Sequence, residues 1–342
     1  MQSMADVKTV TGSRDDLVVD VSRCQRMRFS ESSCRHCVDI CPHGAVTLDG
    51  SLTINPDLCR GCLLCTSVCP AGALEQNSDF SACLAQLSRV PGPILGCIRT
   101  KERSNATLAC LGGLSEEHLL ALCHTLSEKM TLNLTACGEC PNNSMIPYLR
   151  QSLAILSGAG LLDDNGRIVI AESARNIHYR DESVDRRNFL KSFRDTLFKS
   201  AAVILSPDNE QTGQRTDYAG KRLPVRRQLL NNTRNKLSPE LEIRIRKHFD
   251  SYISFDETCT TCQGCVAICP TGALQTESSD MPPVFDQLLC TGCGLCREFC
   301  LDGAKLNEQN VNADATKGAL AGALCIVAGL IADHSRLVRT TD

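Results

Sequence analysis

Tryptophan is missing from this chain, and aromatic residues together make up only 4% of it. So few rings leave little surface on which nucleic-acid bases could stack. Neither sign of charge is in excess: 36 Lys and Arg stand against 39 Asp and Glu, a net charge of −3. That balance argues against bulk attraction to nucleic acid or anionic lipid, while leaving room for local basic patches. No apolar stretch reaches the roughly 20 residues that a spanning helix needs. The nearest, GALAGALCIVAGLIA at 318–332, is short, rich in small residues and flanked by Lys317 and Asp333. It reads as a buried or partner-packing helix, and membrane spanning is not expected. The N-terminal MQSMADVKTVTGSRDDLVVD has no apolar core of a signal peptide, so a cytoplasmic setting is expected. GxGxxG and P-loop motifs are also missing, which removes the usual nicotinamide, flavin and nucleotide signals.

What the chain has is cysteine, 23 in 342 residues. A chain of this length can bury ordinary apolar cores and needs no disulfide staples. The cysteines fall instead in tight groups, as thiolates kept reduced or bound to metal would. One signature recurs four times: CVDICPHGAV at 37–46, CTSVCPAGAL at 65–74, CVAICPTGAL at 265–274 and CREFCLDGAK at 296–305. The copies come as two close pairs near the two ends of the chain, a duplicated unit that is itself internally duplicated. Upstream cysteines complete the pattern. Cys59, Cys62, Cys65 and Cys69 form C-x2-C-x2-C-x3-C before Pro70, and Cys259, Cys262, Cys265 and Cys269 do the same before Pro270. Cys290, Cys293, Cys296 and Cys300 repeat the spacing, with Leu301 in place of proline. Three thiolates at such intervals wrap one loop around a cubane, and Gly72 and Gly272 permit the tight turn that follows. Zinc also uses C-x2-C pairs, but it needs four ligands and no such trailing run.

This is the run of bacterial ferredoxins, and residues 20–76 and 252–307, about a third of the chain, resemble bacterial-type dicluster 2[4Fe–4S] ferredoxin domains. In such domains the fourth cysteine of each run ligates the partner cluster. The resemblance therefore implies four [4Fe–4S] clusters. Cys259, Cys262, Cys265 and Cys300 would hold one, and Cys290, Cys293, Cys296 and Cys269 its neighbour. In the N-terminal module Cys59, Cys62, Cys65 and Cys41 would hold another. The remaining site departs from the pattern, because Glu31 stands where its first cysteine belongs and Cys24 is the nearest upstream thiol. Cys24, Cys34, Cys37 and Cys69 are the ligands if residues 25–33 include an insertion loop; a three-iron cluster without Cys24 is the rival.

Between the modules, PILG at 93–96 leads to Cys97, TLA at 107–109 to Cys110 and TLNLTA at 131–136 to Cys137 and Cys140. SEEHLLAL at 115–122 and MIPYLRQSLAIL at 145–156 read as helices, the first capped by Ser115 with two acids in its first turn. Strands alternating with helices suggest a small parallel α/β unit, and ligands gather at the carboxyl ends of its strands. Cys97, Cys110, Cys137 and Cys140 are thus candidates for one metal site, a [2Fe–2S] cluster or zinc. The alternative is a set of buried or redox-active thiols with a CxxC pair. The segment also resembles the small delta-type iron–sulfur adaptor subunits of hydrogenase and heterodisulfide reductase complexes, which implies a [2Fe–2S] centre. Cys83, Cys123 and Cys325 read as small buried hydrophobes.

Residues 166–250 lack cysteine. SVDRRNFLKSF at 183–193 is an internal amphipathic pattern rather than an export signal. Lys221, Arg222, Arg226, Arg227, Arg234 and Lys236 read as a solvated face or a docking surface for an acidic partner. SPE at 238–240 opens a helix with Leu241, Ile245 and Phe249 as its apolar stripe.

The expected fold class is α+β: two ferredoxin-like dicluster modules flanking a small α/β cysteine-containing domain and a helical linker. The segments are an extension (1–19), a module (20–80), the α/β domain (81–165), a basic helical linker (166–250), a module (251–309) and an apolar tail (310–342). The expected function is an electron-transfer subunit that passes single electrons between components of an oxidoreductase complex or soluble redox partners. A redox enzyme with its catalytic metal or dithiol in the middle domain is the alternative; a redox-responsive nucleic-acid-binding protein ranks below both, and no nucleic acid is expected as partner.

Overall fold

The computed structural model describes residues 14–162, 166–179 and 220–300. The readings of 183–193, of 318–332, of Leu301 and of Cys325 lie outside these residues.

The N-terminal part is assembled from short pieces. β1 (Leu17–Val19) is followed by α1 (Gln25–Arg28), α2 (His36–Asp39), β2 (Val46–Thr47), β3 (Thr53–Ile54), α3 (Leu64–Val68) and β4 (Leu74–Gln76). β1 pairs antiparallel with β4, Leu17 opposite Gln76, so the paired unit begins ahead of residue 20. β2 and β3 form a hairpin with Val46 opposite Ile54 and the hydroxyls of Thr47 and Thr53 bonded at 2.6 Å. Elements of two to five residues bury little by themselves. Their small core counts cysteines among its members: Cys24, Cys37 and Cys69 with Val46, Leu52, Ile54, Ala73 and Leu74.

The middle part is a parallel sheet. α4 (Phe80–Leu87) precedes β5 (Ile94–Cys97) and β6 (Ala106–Leu108); α5 (Glu116–Thr125), β7 (Met130–Asn133), α6 (Met145–Gly158) and β8 (Ile168–Ala171) follow. The strands lie in the order β6-β5-β7-β8, all parallel. The sheet thus takes its last strand from beyond residue 165. The central strand β5 is buried along its whole length, as a strand covered on both faces is, and Leu95, Leu108, Met130 and Leu132 are all buried. α5 starts as its sequence predicts: Ser115 and His118 form a reciprocal capping box, with Glu116 and Glu117 in the first turn.

α7 (Val225–Arg234) and α8 (Pro239–Phe249) come next. The Ser238 hydroxyl accepts the Leu241 N–H, Pro239 takes the first helical position, and Ile245 is fully buried between the partly buried Leu241 and Phe249. Leu229 and Leu230 of α7 join the core of the middle sheet. This same core takes in Ile40, Cys62, Leu63 and Leu64, so the N-terminal cysteine loops and the middle domain share one apolar interior. The C-terminal part repeats the N-terminal plan with α9 (Gly264–Ile268), β9 (Leu274–Gln275), β10 (Val284–Phe285) and α10 (Leu295–Phe299). Its core, around Ile253, Cys269, Ala273, Leu274 and Cys290, is separate.

One expectation is corrected. The basic stretch 221–236 is only in part a solvated face: Lys221, Arg222 and Lys236 are exposed, but the others are not. Arg227 and Arg234 are 2% and 6% exposed and share the buried Asp250 carboxylate at 2.7 and 2.6 Å. Arg234 also pairs with Glu242 at 2.8 Å, Arg222 with Glu75 at 2.6 Å, and Lys221 donates to the Val266 carbonyl at 2.7 Å. A charge run looks solvated in one dimension; here carboxylates and carbonyls distant in sequence take up much of it.

Candidate metal centres

The regular cysteine loops share one backbone. In each C-x2-C-x2-C, the residues just before and just after the second cysteine have positive φ: Gly61 and Leu63 (68° and 59°), Thr261 and Gln263 (57° and 58°), Gly292 and Gly294 (64° and 75°). Only glycine adopts this conformation at no cost; elsewhere it costs on the order of 1 kcal/mol or more. That Leu, Thr and Gln adopt it means that the loop shape overrides residue preference. Successive left-handed residues turn N–H groups toward a common concavity, a cradle for a thiolate-rich anion. The Gly292 N–H accordingly meets Cys290 Sγ at 3.4 Å, and the Ala45 N–H meets Cys41 Sγ at 3.3 Å. The irregular loop at Cys34–Cys37 has no positive φ.

The fold gathers the cysteines in fours. One cavity, with about 340 Å³ of empty space, is lined by Cys24, Cys34, Cys37 and Cys69. A second, of about 400 Å³, is lined by Cys41, Cys59, Cys62 and Cys65. A third, of about 480 Å³, is lined by Cys269, Cys290, Cys293 and Cys296. Burial pushes the Cys34 thiol up to about 11 and the Cys37 thiol up to about 12, with Cys69 and Cys24 adding to both. Cys65 is pushed well up by burial and by Cys62, Cys37, Cys41 and Cys59. Cys293 is raised likewise by burial and by Cys296, Cys290 and Cys269. Cys265 rises to about 11 through burial, with Cys262 and Cys259 beside it. Cys300 ends α10 next to Phe299, whose ring lies where a Gly264 side chain would be: a Cβ there would stand 2.8 Å from Phe299 Cε1 and 3.7 Å from Cys262 Sγ. Four buried thiolates together repel one another. A cationic iron–sulfur core with four thiolate positions relieves that repulsion and uses the surrounding N–H donors, so the residues fit such a group.

The surroundings of the sites differ. Arg23, 1% exposed, precedes Cys24 and pairs with Glu75 at 3.2 Å; its guanidinium fills the space over Gly72. Arg226 donates to the carbonyls of Ser67 and Cys69 and faces Glu117 at 3.5 Å. In the C-terminal part, Cys262 is exposed. There burial would raise the Cys269 thiol, but bonds from the Thr271 hydroxyl and from the N–H groups of Thr271, Ala273 and Leu274 outweigh it and draw it below the usual range. The roles of Arg23 and Arg226 had no signal in the sequence beyond their nearness to other charges.

The middle quartet sits where the chain order of the sheet reverses, at the carboxyl ends of β5 and β7. Cys97 ends β5; Cys110 follows β6, and Cys137 and Cys140 follow β7. Cys97, Cys110 and Cys137 are buried and Cys140 is half-buried. Burial lifts Cys110 to about 12, with Cys97, Cys62 and Cys137 contributing, and lifts Cys137 to about 11, with Cys97 and Cys140 contributing. Cys62 of the neighbouring quartet is therefore part of the same electrostatic neighbourhood. Gly112 makes that approach feasible, because a Cβ on it would collide with the Cys62 carbonyl oxygen. The Gly112–Gly113 pair after Cys110 was the visible trace of this contact. Among the described residues, no three His, Cys, Asp or Glu side chains stand close enough to share a single metal ion. Cys83 and Cys123 are buried on helices α4 and α5, away from these groups in the chain.

Two family models of the 4Fe-4S dicluster domain match, one at residues 32–73 and one at 252–301. The chain carries two 4Fe–4S dicluster domains. Those domains make it an iron–sulfur protein. A stretch of 48 residues is 46% identical to protein NrfC of Escherichia coli strain K12, with the same values for protein NrfC of Escherichia coli O157:H7 and of Shigella flexneri. The match takes in 12% of this chain and 22% of the relative, so the chain spans about a fifth of the length of the curated relatives it matches. No solved structure matches the chain. Among the described residues, no helix is long and apolar enough to cross a membrane.

Proposed function

We propose that this chain relays single electrons through four [4Fe–4S] clusters between redox components of a larger oxidoreductase system. The ligand sets are Cys24, Cys34, Cys37 and Cys69; Cys41, Cys59, Cys62 and Cys65; Cys259, Cys262, Cys265 and Cys300; and Cys269, Cys290, Cys293 and Cys296. The observation that carries this reading is that three cavities are each lined by one of these quartets. Cys24 shares its cavity with Cys34, Cys37 and Cys69, which favours a four-iron over a three-iron site there. When bound, each cluster supplies a one-electron carrier whose potential depends on burial, charge and hydrogen bonds to sulfur. The chain's own residues provide these: N–H donors in the loops, Arg23 and Arg226 near one site, Thr271 near another. Cys97, Cys110, Cys137 and Cys140 are read as a fifth centre, a [2Fe–2S] cluster or zinc, on the strength of the all-thiol donor set beside Cys62. A reducing cytoplasm suits so many thiols.

The test is iron and sulfide content after anaerobic purification, with EPR of the reduced protein. Four cubanes require about 16 irons per chain and a [2Fe–2S] centre about 2 more. A total near the higher value, with a [2Fe–2S] signal lost in Cys110→Ser, supports the full reading. A total near the lower value removes the [2Fe–2S] reading of the fifth centre, and a total near half of it sinks the four-cluster relay.

A further inference from the structure

The two dicluster modules touch each other directly. Phe29, just after Cys24 and α1, meets Phe299 edge to face, with ring centroids 5.3 Å apart. Ser33, next to Cys34, bonds Glu298 through both its N–H and its hydroxyl. Arg28 donates to the Ile268 carbonyl at 3.2 Å. Phe299 precedes Cys300 and packs over Gly264, between Cys262 and Cys265. Every one of these residues is within a few positions of a cysteine. At the other end of the N-terminal module, the Cys62 carbonyl lies against Gly112, two residues after Cys110 of the middle domain.

We infer that Phe29, Ser33, Glu298 and Phe299 are positioning residues that form the electron crossing between the modules, from the Cys24/Cys34/Cys37/Cys69 site to the Cys259/Cys262/Cys265/Cys300 site. This inference rests on the proposed clusters. It puts the middle domain at one end of a single line of centres and the Cys269/Cys290/Cys293/Cys296 site at the other. The middle domain therefore does not bridge the modules, although it lies between them in the sequence. Two features make the contact specific. Its ring pair brings polarizable atoms of both modules together, and its Ser33–Glu298 bond pins the Cys34 loop to the helix that carries Cys296 and ends at Cys300.

Paramagnetic centres that lie close together speed one another's spin relaxation, so the crossing has a readout independent of any activity. The fully reduced, anaerobically loaded full chain is compared with Phe29→Ala and with Glu298→Arg, which removes the carboxylate that Ser33 bonds. With iron and sulfide unchanged, both variants lose the relaxation enhancement between modules, seen as at least a twofold fall in the microwave power that half-saturates part of the signal, while the enhancement within modules persists. Unchanged relaxation in both variants at full iron overturns the crossing and leaves the clusters in place. Parent protein with far fewer than about 16 irons overturns the cluster reading itself and the crossing with it, and the iron count separates the two failures.

Discussion

The two dicluster modules carry the same cysteine spacing in different surroundings. Cys62 in the first is 8% exposed, under the loop at Gly112, whereas its counterpart Cys262 is exposed. Arg23 and Arg226 stand beside the first module and Lys221 and Arg28 beside the second, where the Thr271 hydroxyl also meets Cys269 and the first module has Ala71. Spacing therefore specifies what each loop holds, and the environment specifies how that centre is tuned. The first module is also fused to the middle domain and to α7 and α8 through one core, whereas the second keeps its own.

That contrast is broken most severely at Asp250. Asp250→Ala leaves Arg227 and Arg234 without the buried carboxylate they share. The expected loss is about 3–5 kcal/mol, read as a fall in unfolding temperature. Glu240→Ala, which removes only the exposed partner of Arg244, is expected to cost under about 0.5 kcal/mol.

Acid acts on the same half of the molecule. Burial depresses His118 to about 4, so the imidazole that caps α5 is neutral in the fold. An unfolded chain takes up this proton below about pH 6.5 and the folded chain does not until near pH 4. Stability is therefore complete above the unfolded value and is lost as pH falls through that window, by on the order of 3 kcal/mol. Unfolding temperatures measured from pH 7 to pH 4.5 should fall less steeply in His118→Gln; parallel curves would refute the assignment.

A smaller effect is expected at the seam beside Cys62. Gly112→Ala drives a methyl group into the Cys62 carbonyl, for a cost of about 1–3 kcal/mol, whereas Gly138→Ala meets nothing within 4 Å. Near-equal unfolding temperatures for the two variants would mean that the seam is loose. The smallest change runs in the other direction and in the other module. Thr261→Gly removes a β-branched residue from a left-handed position and should stabilise the chain by about 0.5–1 kcal/mol; equality with the parent would show that the strain is absorbed elsewhere.

Much of the local structure was legible in the residues. Ser115 and Ser238 announced the starts of their helices, and PILG at 93–96 and the alternating TLNLTA at 131–136, set between helices, announced parallel strands, because capping and burial patterns act over a few residues. The basic run at 221–236 misled, since its partners Glu75, Asp250 and Val266 lie on other elements.

By itself the sequence determined that both ends are 4Fe–4S dicluster domains, since cysteine intervals of two and three residues set a loop's geometry locally, whatever surrounds it. Tertiary structure alone decided which loop is buried, which cations stand beside it and which modules touch. Those outcomes rest on pairs such as Arg23 with Glu75, Gly112 with Cys62 and Phe29 with Phe299, and contacts between residues so far apart in the chain leave no periodic trace in it.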